Sequence, residues 1–202
     1  KYSLVTKIRQ RNPYKQMARA THEHRTFPNI LNRQFDQQIP YKTYCTDITY
    51  LYYGKGRRAY LSVLLDLASG EVVEYYVSPR ITMDLSLGLL SKIVKSRGIH
   101  FLEGSLIHSD QGGHYTHPEY SKSLRRMKVT QSMSRKGNCL DNAPVESFFG
   151  HMKDELDLWK YRTLEGLTEM IDEYMFEYNN FRFQWTKGKM APVEYRNHLL
   201  SA

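Results

Sequence analysis

The chain reads as a mixed α/β fold, and two observations predict it. Three segments rich in Val, Ile, Leu, Tyr and Thr follow one another early, separated by glycine-bearing turns. After Pro79 the apolar residues change to helical spacing, and short apolar strands then alternate with amphipathic stretches. Strand, strand, strand, helix, strand, helix, strand, helix is the order that results.

The first three strands are expected at Tyr44–Tyr53, Ala59–Ala68 and Glu71–Val77. Gly54-Lys55-Gly56 marks the first hairpin turn and Ser69-Gly70 the second, so the three run antiparallel. Leu85, Leu89, Leu90, Ile93 and Val94 form a helical stripe, with Thr82 as its expected N-cap and Gly98 as its stop. Ser105–His108 reads as a strand, Pro118–Met127 as a helix and Lys128–Ser132 as another strand. Residues 133–141 are polar and irregular, as in a mobile loop. From Ala143 a helix is expected with Val145, Phe148, Phe149, Met152, Leu156 and Trp159 on one face. Asp141 or Asn142 would cap it, and Pro144 suits its first turn. Glu146, Gly150 and Lys153 fall together on its flank. A further helix spans about Leu164–Phe181, residues 179–190 mix aromatics with bases, and Pro192–Leu200 is a short terminal helix. Residues 1–40 lack periodicity, contain Pro13, Pro28 and Pro40, and read as an arm with one short helix near 14–22.

Hydrophobic residues make up 41% of the 202 and charged residues 25%, which excludes a disordered chain. No apolar run approaches the roughly 18–20 residues of a membrane span, so no membrane partner is expected. Neither a secretory signal nor a disulfide framework is visible, since Cys45 and Cys139 stand alone. A reducing cytoplasmic location is expected. The first residue is Lys rather than Met, as in a fragment. The net charge is +8, and residues 1–33 carry +7 of it, with eight Lys/Arg against Glu23. A basic arm on a near-neutral body suggests a polyanion partner.

Three acids sit in three bounded motifs. Asp47 lies in Thr-Asp-Ile-Thr-Tyr (46–50), Asp110 in Ile-His-Ser-Asp-Gln-Gly (107–112) and Glu146 in Asp-Asn-Ala-Pro-Val-Glu-Ser-Phe-Phe (141–149), with 35 residues between the last two. A carboxylate in an apolar setting is costly unless paired, and clustered carboxylates repel unless a cation joins them. Oxygen donors of this kind suit Mg²⁺ or Mn²⁺, and two such ions can clamp an in-line phosphoryl displacement. Each acid also has an ordinary reading: an edge-strand charge for Asp47, an Asx turn for Asp110, a first-turn helix acid for Glu146. Asp66 reads as a turn acid, Asp141 as a cap, and His114 and His117 as structural or surface histidines; the role of His108 is open. No glycine-rich phosphate loop and no nucleophile elbow are present.

At these residues, from about Leu31 to Leu200 and most specifically over 105–155, the chain resembles the integrase-core domain of bacterial insertion-sequence DDE transposases. Within that group it is most similar to the downstream-frame product of the IS-three family, a relative of the retroviral integrases. The resemblance implies a ribonuclease-H-like fold, a mixed five-stranded sheet flanked by helices over 41–160, with the basic arm over 1–40 and a helical extension over 161–202. It implies Asp47, Asp110 and Glu146 as catalytic ligands of two Mg²⁺ (or Mn²⁺) ions, cleavage at transposon ends and strand transfer by a 3′-hydroxyl. Its implied partners are terminal inverted repeats, target DNA and further copies of the chain, with a helix-turn-helix region upstream. Lys153 matches a basic position that the family sets against DNA, and Asn142, Arg135, Lys136 and Arg182 are assigned to DNA contact with it. The alternatives are a ribonuclease-H-type nuclease that cuts without joining, or an inactive DNA-binding remnant.

Overall fold

Gly54 and Gly56, at φ 53° and 79°, adopt the left-handed backbone that a side chain disfavours, and they let the chain reverse between its first two strands. In the computed structural model, which describes residues 26–201, β1 (Thr43–Tyr53) pairs antiparallel with β2 (Arg57–Asp66), and β2 with β3 (Val72–Ser78). β4 (Leu106–Ser109) lies parallel to β1, and β5 (Thr130–Met133) parallel to β4. The five-stranded order is β3-β2-β1-β4-β5. Helices α1 (Asp84–Arg97), α2 (Gly113–Thr116) and α3 (Pro118–Arg126) alternate with the parallel strands; α4 (Ala143–Glu155), α5 (Leu164–Phe181) and α6 (Pro192–Ser201) follow. This is the predicted ribonuclease-H-like mixed α/β arrangement.

Alternation along the strands feeds two apolar layers. On one face Cys45, Leu51 and Tyr53 of β1 meet Val145, Phe148, Phe149 and Met152 of α4, and with them Leu167, Ile171 and Met175 of α5. On the other, Tyr44 and Leu64 meet Leu89, Leu90 and Ile93 of α1 and Tyr120 and Leu124 of α3. Burying each such side chain contributes about 1.5–3 kcal/mol before chain entropy is counted. The α4–α5 layer crosses the boundary expected near residue 160. α6 is held by Arg196, whose guanidinium donates at 2.7 and 2.8 Å to both oxygens of buried Glu71.

Several expectations need correction. The arm expected over 1–40 is folded from residue 26 on: Ile30 and Leu31 N–H donate to Ser132 Oγ (2.9 and 3.2 Å), and Leu31 joins the core. The short helix near 14–22 and most of the basic arm lie outside the described residues. α4 stops at Glu155, because Leu156 turns to extended backbone; Trp159 is then 63% exposed, and Leu158 is buried in its place. Thr82 does not cap α1. Its hydroxyl donates to Asp84 Oδ2 at 3.0 Å, and Met83 holds the cap position. Neither Asp141 nor Asn142 caps α4 with its side chain.

Candidate active site

β1 and β4 lie in parallel register with Cys45 opposite His108. The pairing ends there; Asp47 lies two residues on along β1, and Asp110 two residues on, just past the end of β4. The odd-numbered face of β1 is the face that α4 covers, and α4 carries Glu146 in its first turn. Asp47 and Asp110 line one pocket of about 200 Å³, with Ile48, Thr49, Tyr50, Gly112, His114 and Tyr115. Glu146 is exposed on α4 and is not among the residues lining that pocket. Among the described residues no three His, Cys, Asp or Glu side chains stand close enough to form a metal cage. The structure thus brings two of the three expected ligands together and leaves Glu146 within electrostatic reach.

The charges nonetheless act on one another. Burial and then the Asp110 charge push the Asp47 carboxyl well above its ordinary range, Glu146 adding to the effect while the Ile48 N–H and Lys153 oppose it. Partial desolvation raises Asp110, whose side chain stays exposed at the pocket mouth, and the Gly112 N–H opposes the shift. Partial desolvation and then the Asp110 charge raise Glu146. An all-oxygen set whose members hold one another's protons on is what a hard divalent cation relieves. Asp47 and Asp110, sharing one pocket, offer oxygen donors of the kind Mg²⁺ or Mn²⁺ takes.

Local geometry fixes each acid. Asp47 Oδ1 accepts from the Ile48 N–H at 2.7 Å. Asp110 closes an Asx turn, its Oδ1 accepting from Gly112 N–H at 2.8 Å, so the ordinary turn reading and the pocket position hold together. A β-carbon at Gly112 would stand 2.8 Å from that same oxygen. Gly112, the last residue of the Asp110 motif, is thus a site residue to which the sequence alone assigns no role.

Lys153, half-buried, donates from Nζ to Thr49 Oγ1 at 2.5 Å and lies 4.7 Å from the centre of the Tyr50 ring. Burial lowers its pKa, and the Asp47 charge opposes that. Asn142 is buried, donates weakly to Thr46 O (3.4 Å), and leaves its Oδ1 without a partner. Lys136 is exposed. Arg182 is engaged with Glu155.

Arg135 is engaged with Asp141, and here the cap reading fails most instructively. Asp141 is fully buried and accepts from Asn29 Nδ2 (3.1 Å), Arg33 Nε (2.7 Å), Arg135 N (2.9 Å) and the Arg135 guanidinium (2.7 and 2.9 Å). These bonds hold its carboxyl far below the usual range, Arg135 first. The loop expected to be mobile is thereby tied at its end to residues 29–33. Asp66 is a turn acid as expected, accepting from Tyr41 N–H (2.8 Å) and from the N–H and hydroxyl of Ser69 (2.9 and 2.6 Å). His108 is buried between the hydroxyls of Ser132 (2.8 Å) and Ser134 (3.1 Å), and burial lowers its pKa. His114 bonds Thr82 O at 3.1 Å, which makes it structural.

A ligand that binds only the folded state raises its melting temperature. Mn²⁺ or Mg²⁺ is therefore expected to raise the melting temperature of this chain, and Asp110→Asn to abolish the shift. Equal shifts in both proteins would place the ion elsewhere.

The fold, with one acid inside β1 and a second just past the end of β4, is that of a ribonuclease-H-like core. A model of the family described as Integrase core domain matches residues 37–139, and a second model of that description matches 146–200. The putative transposase InsK of insertion sequence element IS150 from Escherichia coli K12 is 39% identical over 173 residues, covering 85% of this chain. The transposase InsF of IS3fB from the same organism is 33% identical over 175 residues, covering 86%. The chain spans 60% of the length of each of these relatives. The catalytic core domain of HTLV-2 integrase, solved with magnesium, shares the fold at TM-score 0.58 and 17% identity, over 78% of this chain and 97% of that one. The chain belongs to the integrase-core family, among the insertion-sequence transposases of the IS3 type.

Proposed function

We propose that this chain is the catalytic part of a metal-dependent DNA transposase, with Asp47, Asp110 and Glu146 as its working acids. The observation that carries the reading is the β1–β4 register, which sets two acids from distant motifs across one pocket while a third, on the helix packed over that face, feels their charge. Asp47 and Asp110 would hold Mg²⁺, with Glu146 joining them. Bound there, the ion supplies activation of an attacking oxygen and charge stabilisation at the leaving one. In the cleavage step water attacks the phosphorus at the transposon end, and a P–O bond forms as the bond to the 3′-oxygen breaks. In the joining step the freed 3′-hydroxyl attacks a target phosphodiester in the same way, so bonds broken and formed balance.

The chain's own groups hold the strand. Gly112 N–H keeps the Asp110 carboxylate aimed at the pocket. Lys153 and Lys136 are offered to the DNA near Glu146, whereas the DNA contact expected of Asn142 is corrected by its burial beneath Thr46. Arg135 and Arg182 can share phosphates only beyond their bonds to Asp141 and Glu155. The basic residues of 1–25 would bind duplex phosphates without regard to sequence. Several copies would assemble on terminal inverted repeats and target DNA. Such work belongs to the bacterial cytoplasm, at the nucleoid; no helix among the described residues is long and apolar enough to cross a membrane.

Incubation with Mg²⁺ and labelled DNA bearing candidate inverted repeats is expected to yield covalently joined products. Cutting without joining would favour a ribonuclease-H-type nuclease, and neither reaction would favour a DNA-binding remnant.

A further inference from the structure

The β1–β2 hairpin runs on beyond the acid pocket. β4 pairs with β1 only at Thr43–Cys45, whereas β2 pairs with it as far as Tyr53. On that extension Tyr50 stands opposite Tyr60, and Tyr52 opposite Arg58. Residues directly opposite in an antiparallel pair share a face, so Tyr50, Tyr52, Arg58 and Tyr60 form one patch. Tyr50 and Tyr52 are 48% and 43% exposed, with ring centres 5.3 Å apart and ring planes at 71°. Lys55, Arg57 and Arg58 are exposed beside them, and no Asp or Glu occurs between Ile48 and Leu65. Tyr50 also lines the pocket that holds Asp47 and Asp110, so patch and pocket are continuous.

Strands usually keep tyrosines of this kind for a core or a partner, and the core is satisfied elsewhere: Leu51 and Tyr53, on the opposite face, are the buried ones. A base-lined row of aromatic rings with no acid in it is complementary to a polyanion carrying flat rings. In a duplex the bases are already stacked on one another; only unpaired ones can lie on protein rings. We propose that the Tyr50–Tyr52–Tyr60 face binds an unpaired DNA strand as it leaves the acid pocket, stacking its bases on the tyrosines and setting its phosphates against Arg58 and Lys55. This rests on the DNA-processing reading above and adds that the bound strand is unpaired next to the reacting phosphate.

The test compares a blunt duplex with the same duplex carrying a four-nucleotide single-stranded overhang, both fluorescently labelled, at one salt concentration with EDTA present. The wild-type chain is expected to bind the overhang probe about tenfold or more tightly than the blunt one. Tyr52→Ala/Tyr60→Ala should lose that preference and keep its affinity for the blunt probe; Tyr52→Phe/Tyr60→Phe should retain the preference, because stacking needs the ring and not the hydroxyl. A photo-crosslink from 5-iododeoxyuridine in the overhang of the wild-type complex should map to Tyr50, Tyr52 or Tyr60, which keeps the proposal testable if the alanine variant fails to fold. Equal binding of both probes by wild type, or crosslinks confined to other segments, overturns the stacking face while leaving the DNA-processing reading intact. Binding of neither probe overturns both. An alanine variant that changes only the self-association of the chain shows the face to be an interface between copies, and overturns the proposal too.

Discussion

Asp47→Asn, Asp110→Asn and Glu146→Gln should each lower cleavage and joining together by about 10³-fold or more, since groups that act as one unit lose nearly everything singly. DNA binding should survive, because none of the three substitutions removes a basic residue. The check is a gel assay of cut and joined products beside a filter-binding measurement at the same salt. Strand transfer retained by any one variant would remove that residue from the working set. Glu146 is the informative member. The structure sets it on the helix beside the pocket rather than in its lining, so its loss of activity would show that the reaction needs its carboxylate as well as the two in the pocket.

Asp141→Asn should be clearly destabilising although it lies outside the two apolar layers. It removes the negative charge from a fully buried carboxylate that receives Arg33, Arg135 and Asn29. Breaking a fully buried pair costs about 3–5 kcal/mol. Here both arginines keep partial contact with water, at 39% and 54% side-chain exposure, which screens the pair, so about 2–3 kcal/mol is expected. Urea unfolding at pH 7 measures it, and a loss under about 0.5 kcal/mol, the range of ordinary surface substitutions, would refute the hub. The pH dependence has two parts of opposite sign. The Asp141 carboxyl is depressed in the folded state, so its contribution is complete above the unfolded value near 4 and is lost as pH falls below it. Asp47, Asp110 and Glu146 are raised, so they cost stability at neutral pH and return it as pH falls through their folded values. Melting temperature followed downward from pH 7 should therefore rise before it falls, and Asp110→Asn should flatten the rise.

Much of this was legible in the sequence because it depends on local periodicity. Leu164–Phe181 was bounded to the residue, and the three antiparallel strands were placed to within a few, since glycine turns and alternation are local signals. Asp47 and Asp110 were singled out as polar interruptions of apolar runs. What failed depended on partners far along the chain. Asp141 looked like a cap because its spacing to the helix is local, whereas Asn29 and Arg33 are more than 100 residues away. Trp159 continues the stripe of α4 by spacing, but spacing cannot tell that the helix unwinds at Leu156. The fold of residues 26–40 was hidden for the same reason, its hydrogen bonds going to Ser132 of β5. The distance from Glu146 to the other acids is a matter of how α4 sits, which no pattern within the helix records.

Gly112 bears on how this chain can vary. Its backbone, at φ −65° and ψ 154°, is one that any L-residue adopts without strain. A β-carbon there would instead crowd the Asp110 carboxylate, 2.8 Å from Oδ1 and 3.3 Å from Oδ2, and push that side chain aside. An alanine there is therefore expected to disturb the pocket and leave the fold intact. In the proposed reaction such a chain would still hold DNA while failing to cut or join it.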